Sequence, residues 1–164
     1  MIKNEIYRLI NGIDSNEKTN DVNHIAFIIK CSGNSFDVLS KCKEILKIVL
    51  EHNRNTEMTL DEWRNLLPQW FIRRCAKELS KEEAEKRLSL PIDERRRITE
   101  NEGWTLSGWI YWLNPQERQW YWGDAKIIDY NTIHLVVECQ GWPLVWGALR
   151  WLWKACGALD CEEQ

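Results

Sequence analysis

WPLVWGALRWLWKACGA, residues 142–158, sets four tryptophans, one proline and two charges into seventeen positions, and its reading decides the fold. Pro143 suits the first turn of a helix, where an amide proton is not needed, and Gly157 suits a left-handed end. A helix over about 143–156 follows, some 20 Å long at 1.5 Å per residue. Leu144, Gly147, Ala148, Trp151 and Ala155 make one stripe of it, and Val145, Leu149, Leu152 and Cys156 the next; only Arg150 and Lys154 mark a wet edge. A helix apolar nearly all round belongs in the centre of a small core, against a sheet.

The sheet is expected just upstream. In WYWGDAKIIDYNTIHLVVECQ the pattern is strand-like, and Asp129-Tyr130-Asn131-Thr132 holds turn residues for a hairpin joining about 120–128 to 132–140. On its second strand Leu135, Val137 and Cys139 share one face, His134, Val136, Glu138 and Gln140 the other. Two strands alone are not stable in water, so the hairpin must pair further or lie against helices.

Residues before 120 read mainly as helix. Ile6, Leu9, Ile10 and Ile13 have helical spacing, and the polar string from Asp14 to Asn23 reads as a loop. Val22, Ile25, Ala26 and Ile29 also repeat at helical intervals, which predicts a helix over 22–31 against a β-branched content that suits a strand. From Ser35, read as a cap, Phe36, Leu39, Cys42, Leu46, Val49 and Leu50 keep one stripe to about Asn53. Thr59 to Glu62 is a capping box opening a helix that restarts at Pro68 and runs through WFIRRCAKEL. Ser80 with Glu82 and Glu83 starts a charged, solvated arm broken at Pro91. Residues 105–113 make another helix, and Asn114-Pro115 opens one further turn.

The expected fold is therefore α+β: a mainly helical N-terminal two-thirds, then a β-hairpin (about 120–140) packed with a Trp-rich C-terminal helix (about 143–156). The 164 residues suit a single domain, 1–164, with a helical subdomain over 1–55 and a short polar linker at 52–58 as its one candidate division.

Function is constrained by the aromatics. Eleven tryptophans would bury on the order of 2,000 Å² at roughly 200 Å² each. That exceeds what so small a core usually holds, so part of this surface is expected to meet a partner. The leading expectation is a non-enzymatic protein-interaction or oligomerisation module, with a protein partner or a second copy on a Trp-rich surface. Its candidate residues are Trp109, Trp112, Trp120, Trp122, Trp142, Trp146, Trp151, Trp153 and Arg150. The alternative is a binder, or an enzyme, for a sugar or cationic metabolite, with Asp124, His134 and Glu138 as polar groups of an aromatic pocket between hairpin and helix. Peripheral membrane association through the last helix is the third reading.

Other chemistries find little support. Residues 103–164 carry four basic and seven acidic side chains, which argues against nucleic acid as partner. The basic run Arg95 to Arg97 sits beside Asp93, Glu94 and Glu100, so its field reads as largely cancelled. His134, Cys139, Cys156 and Cys161 match no zinc spacing, no phosphate loop is present, and no cofactor or catalytic residue is assigned. Cys75, after Arg73 and Arg74, is the best candidate for a low-pKa thiol. Six scattered cysteines and an N-terminus without signal-peptide layout suit a reducing cytoplasm. No apolar run reaches the roughly 20 residues that span a bilayer.

Overall fold

The computed structural model describes residues 2–13, 23–54, 57–141 and 143–164. Its elements run α1 (Ile2–Asn11), β1 (Asn23–Cys31), α2 (Ser35–His52), α3 (Leu60–Leu66), α4 (Gln69–Ile72), α5 (Lys81–Leu88), α6 (Ile92–Glu102), α7 (Leu106–Leu113), β2 (Trp120–Asp129), β3 (Thr132–Cys139), α8 (Gly147–Ala155) and β4 (Ala158–Glu163). The protein is α+β, with a four-stranded antiparallel sheet in the order β2-β3-β1-β4.

Two strands depart from the expected order of elements. The segment read as a helix over 22–31 is β1, lying between β3 and β4. Its apolar residues fit both periods, and pairing decides: Phe27, Ile29 and Cys31 point into the core while neighbouring residues face out. The second addition is β4, which continues the chain past Gly157 and returns along β1. Gly157 has φ 114°, and a Cβ there would lie 3.3 Å from Val38, so both backbone and space favour glycine. The first and last thirds of the chain thus share one sheet.

The hairpin forms as expected, with two irregularities, one at each of Gly123 and Ile128. Its register shifts between Trp122 and Asp124, leaving Gly123 as the bulged residue. A Cβ on Gly123 would stand 2.7 Å from the Val136 carbonyl oxygen, so only glycine fits without a backbone shift. The bulge turns Trp120, Trp122 and Ala125 to the same side as Cys139, Val137 and Leu135.

Helix boundaries follow their caps. Thr59 with Glu62 and Ser80 with Glu83 form reciprocal capping boxes, and Thr105 accepts from the Gly108 amide. The cap of α2 is Asn34, one residue before the serine read as cap; Ser35 Oγ instead donates to Asp129 O at 2.7 Å, tying α2 to the hairpin. Pro68 restarts the chain into α4, which ends at Ile72. It does not run on through residue 79, because Ala76 N–H donates to Trp104 O in a bridge between strands of backbone. The C-terminal helix starts at Gly147, four residues after Pro143, since Val145 N–H is taken by the Gln119 side chain.

α1 is held to the sheet edge by charge as well as burial. Glu5 is buried and accepts from both terminal nitrogens of Arg118 and, at 2.7 Å, from Trp122 N–H. All four lone-pair directions of a carboxylate cannot be wetted there, and three are taken by protein donors.

Candidate functional site

The indoles were expected to leave part of their surface to a partner; among the described residues none of them is fully exposed. Of the ten described tryptophans, Trp63, Trp109, Trp120, Trp122, Trp151 and Trp153 are buried and Trp70, Trp104, Trp112 and Trp146 half-buried. Trp142 lies outside the described residues. The chain accommodates so many rings because α8 sends them in different directions. Trp153 stacks on Trp122 beneath the sheet at 6.1 Å, while Trp151 meets Phe71 and Trp109 edge-on at 5.4 and 6.1 Å. Cys156, on a third side, reaches Cys42 of α2.

The polar candidates lie elsewhere. Asp124, His134 and Glu138 share the outer face of the sheet, opposite the buried indoles. Glu138 is engaged by Arg8 at 3.1 Å, His134 Nε2 by Gln164 Oε1 at 3.1 Å, and Asp124 accepts from the Ala125 amide. Trp122 of the hairpin and Trp153 of α8 stack fully buried on the inner face, so these three do not converge on the rings. Among the described residues no three His, Cys, Asp or Glu side chains are grouped to hold a metal ion.

What the structure does bring together is Arg150 and Trp151 with a set of residues from the charged arm. A cavity of about 430 Å³ opens between α6 and α8. From α6 come Ile92, Arg95, Arg96, Thr99 and Glu100, at the i, i+3, i+4, i+7, i+8 spacing of one helix face. Across from them stand Gly147, Arg150, Trp151 and Lys154 of α8, with Trp104 closing one end. Arg95 and Arg96, read from the sequence as neutralised by their neighbours, therefore face two further cations, and Asp93 and Glu94 are absent from the wall. Glu100 is the one carboxylate there, its Oε1 at 3.7 Å from Arg150 Nη1.

Glycines seat both indoles. A Cβ on Gly147 would come within 3.1 Å of Trp104 Cζ2, and one on Gly103, whose φ is 85°, within 3.1 Å of Trp151 Nε1. Trp151 is further fixed from behind by Phe71 and Trp109. On the α8 side the wall is backed by the core. On the other side α6 buries none of its residues, so its anchorage rests on surface contacts such as Arg87 Nη2 to Glu102 at 3.2 Å.

Thiol chemistry is disfavoured by the same burial that stabilises the core. Desolvation, aided by Glu78, pushes the Cys75 thiol up to about 12, which reverses its reading as an activated nucleophile. Burial also raises Cys161 to about 12, and raises Cys42, with a hydrogen-bonding contact to the Cys156 thiol adding to the effect.

Comparison with known proteins gives no match: no family model, no curated protein and no solved structure resembles this chain. No described helix is long and apolar enough to cross a membrane.

Proposed function

We propose that this protein is a small-ligand-binding module, and that its ligand is an anion carried on a flat apolar body held between α6 and α8. One observation carries the reading: Arg95, Arg96, Arg150 and Lys154 meet two indoles on the wall of one open cavity. Its 430 Å³ falls within the roughly 300–1,000 Å³ of small-molecule sites, where apolar walls hold the body and a few polar groups orient it. The positive lining favours an anion over the cationic metabolite that the alternative reading of the sequence also allowed. Binding rather than catalysis fits the wall, because its lone carboxylate already faces Arg150 and the Thr99 hydroxyl donates to Arg95 O at 3.0 Å. Fluorescence titration tests it: aromatic anions should give a saturable shift of the indole emission, whereas a response to sugars or organic cations alone would reject it.

A protein-interaction or oligomerisation role is a second proposal, supported by a different surface from the indoles. Phe36, Ile128, Tyr130 and Leu159 are each more than half exposed, Tyr130 at 71%. Their segments join at one end of the sheet, where Ser35 N–H donates to Tyr130 O and Ser32 N–H to Gly157 O. A second copy of this chain is the proposed occupant. Sedimentation should give a dimer that the double change Tyr130→Ser and Leu159→Ser dissociates; a strict monomer at high concentration removes the proposal. We read residues 1–164 as one unit working in a reducing cytoplasm, in keeping with six free cysteines of which five are buried. Membrane and nucleic acid are not part of either proposal.

A further inference from the structure

The cations of the α6–α8 cavity can be counted against the anions they would hold. We infer that the ligand is a phosphomonoester on a single planar ring, a chemistry shared by mononucleotides and simple aryl phosphates. This rests on the ligand-binding reading above.

Charge is the first argument. The charged groups on the wall are Arg95, Arg96 and Glu100 from α6 and Arg150 and Lys154 from α8, four positive against one negative. A carboxylate brings one charge and two oxygens, enough for one guanidinium fork. A phosphomonoester brings about −1.5 to −2 and three acceptor oxygens, enough to take two forks from opposite helices. Three of the four cations are arginines, the side chain whose planar fork matches phosphate. Among the described residues, neither Arg95 Nε nor Arg150 Nε, both shielded from solvent, has a hydrogen-bond partner. Each guanidinium can thus turn into the cavity without breaking a bond from that nitrogen.

Shape is the second. Trp104 and Trp151 are held in place by Gly147, Phe71 and Trp109, so both indoles stand fixed in the wall before any ligand arrives. At 430 Å³ the cavity lies near the small end of ligand sites, which suits one ring with one phosphate rather than a dinucleotide.

Glu100 then acquires a role. Its carboxylate faces Arg150 where the ligand's phosphate would sit, the two side chains 60% and 41% exposed, so it is an internal competitor that binding must displace. Because α6 buries no residue, the helix can yield as this exchange occurs.

The experiment titrates the full chain, by indole fluorescence and calorimetry, with phenyl phosphate, adenosine 5′-monophosphate, benzoate, inorganic phosphate and adenosine. The two phosphomonoesters should bind about tenfold or more tighter than the other three, and their affinity should rise between about pH 5 and 7 as the second phosphate proton leaves near 6. Glu100→Gln should tighten them several-fold, and Arg150→Ala should weaken them about tenfold, with Arg150→Lys recovering part. Should Arg150→Ala not fold, the probe series on the unaltered chain and Glu100→Gln still decide. Benzoate binding as tightly as phenyl phosphate at pH 7 overturns the phosphate assignment while the anion pocket stands. Silence towards every aromatic anion removes the pocket reading itself. A phosphotyrosyl peptide far tighter than phosphotyrosine overturns the assignment to a small molecule.

Discussion

The two sides of α8 are the comparison from which the molecule is best understood. Towards β2, α2 and α7 it buries Leu149, Leu152, Trp153 and Cys156 within the core, while Trp151 packs on Phe71 and Trp109 and keeps part of its ring on the cavity wall. Towards α6 it offers Gly147, Arg150 and Lys154 to a helix that buries nothing. Cohesion therefore comes from one side, and the other lines an open cavity. The difference teaches that an excess of tryptophan need not advertise a surface: a helix with rings on several sides can anchor a sheet and a helical layer at once.

The sharpest way to break this comparison is to cut on each side in turn. Trp153 is fully buried and stacked on Trp122, so Trp153→Ala should cost about 3–5 kcal/mol in urea unfolding, from lost transfer energy and the cavity left behind. Arg95→Ala, across the cavity, should change stability by no more than about 0.5 kcal/mol. An equal loss from both would mean that α6 is part of the core.

Ion pairs give the next contrast. Breaking the Glu5–Arg118 pair, 1% and 2% exposed, by Glu5→Ala leaves a buried guanidinium and the Trp122 amide without their acceptor. About 3 kcal/mol should be lost, as for other buried pairs cut on one side. Glu102→Ala in the arm removes a partly exposed pair, for which about 0–1 kcal/mol is expected. Chemical denaturation of both variants measures the ratio.

How far the sequence discloses all this depends on how local each signal is. The capping box at Thr59, the capping serine at Ser80, the stripe of α2 apart from Phe36, which is exposed, and the hairpin turn at Asp129 to Thr132 are short-range, and each was legible. β1 was not, because Val22, Ile25, Ala26 and Ile29 satisfy a helical period and only its partners β3 and β4, more than a hundred residues away, choose the strand. β4 carries two buried apolar residues of its own, Ala158 and Cys161, too few for alternation to stand out. The cavity was half legible. Arg150 and Trp151 were singled out, but Arg95 and Arg96 were judged by their chain neighbours rather than by the helix face they share with Ile92, Thr99 and Glu100. That face could have been read from its spacing; that it meets Gly147, Arg150 and Lys154 could not.

Reactivity sharpens the comparison more gently. Burial raises Cys75 from 9.0 to about 12, so its thiolate fraction at mildly alkaline pH falls about a thousandfold below that of an unperturbed thiol. Alkylation of the native chain at pH 8 should be correspondingly slow and should become rapid in denaturant. Prompt labelling of Cys75 in the folded protein would show that the segment between α4 and α5 opens with the arm.

The smallest effect is expected where the arm begins. Ser80 N–H donates to Glu83 Oε1 and Glu83 N–H to Ser80 Oγ, both at 3.2 Å, and these bonds hold the Glu83 carboxyl below its usual 4.5. A depressed carboxyl contributes stability that is complete above the unfolded value and is lost as pH falls through the lower folded one. Acidification below about pH 4 should therefore speed amide exchange in α5 before it affects β1 or β3, and Glu83→Gln should abolish that step. Asp129, lowered by the Thr132 side chain and the Asn131 amide, moves in the same direction, so the hairpin tip should respond in the same window without the strands behind it. If α5 and the central strands instead lost protection together, arm and core would form one cooperative unit, and the division drawn along α8 would not hold.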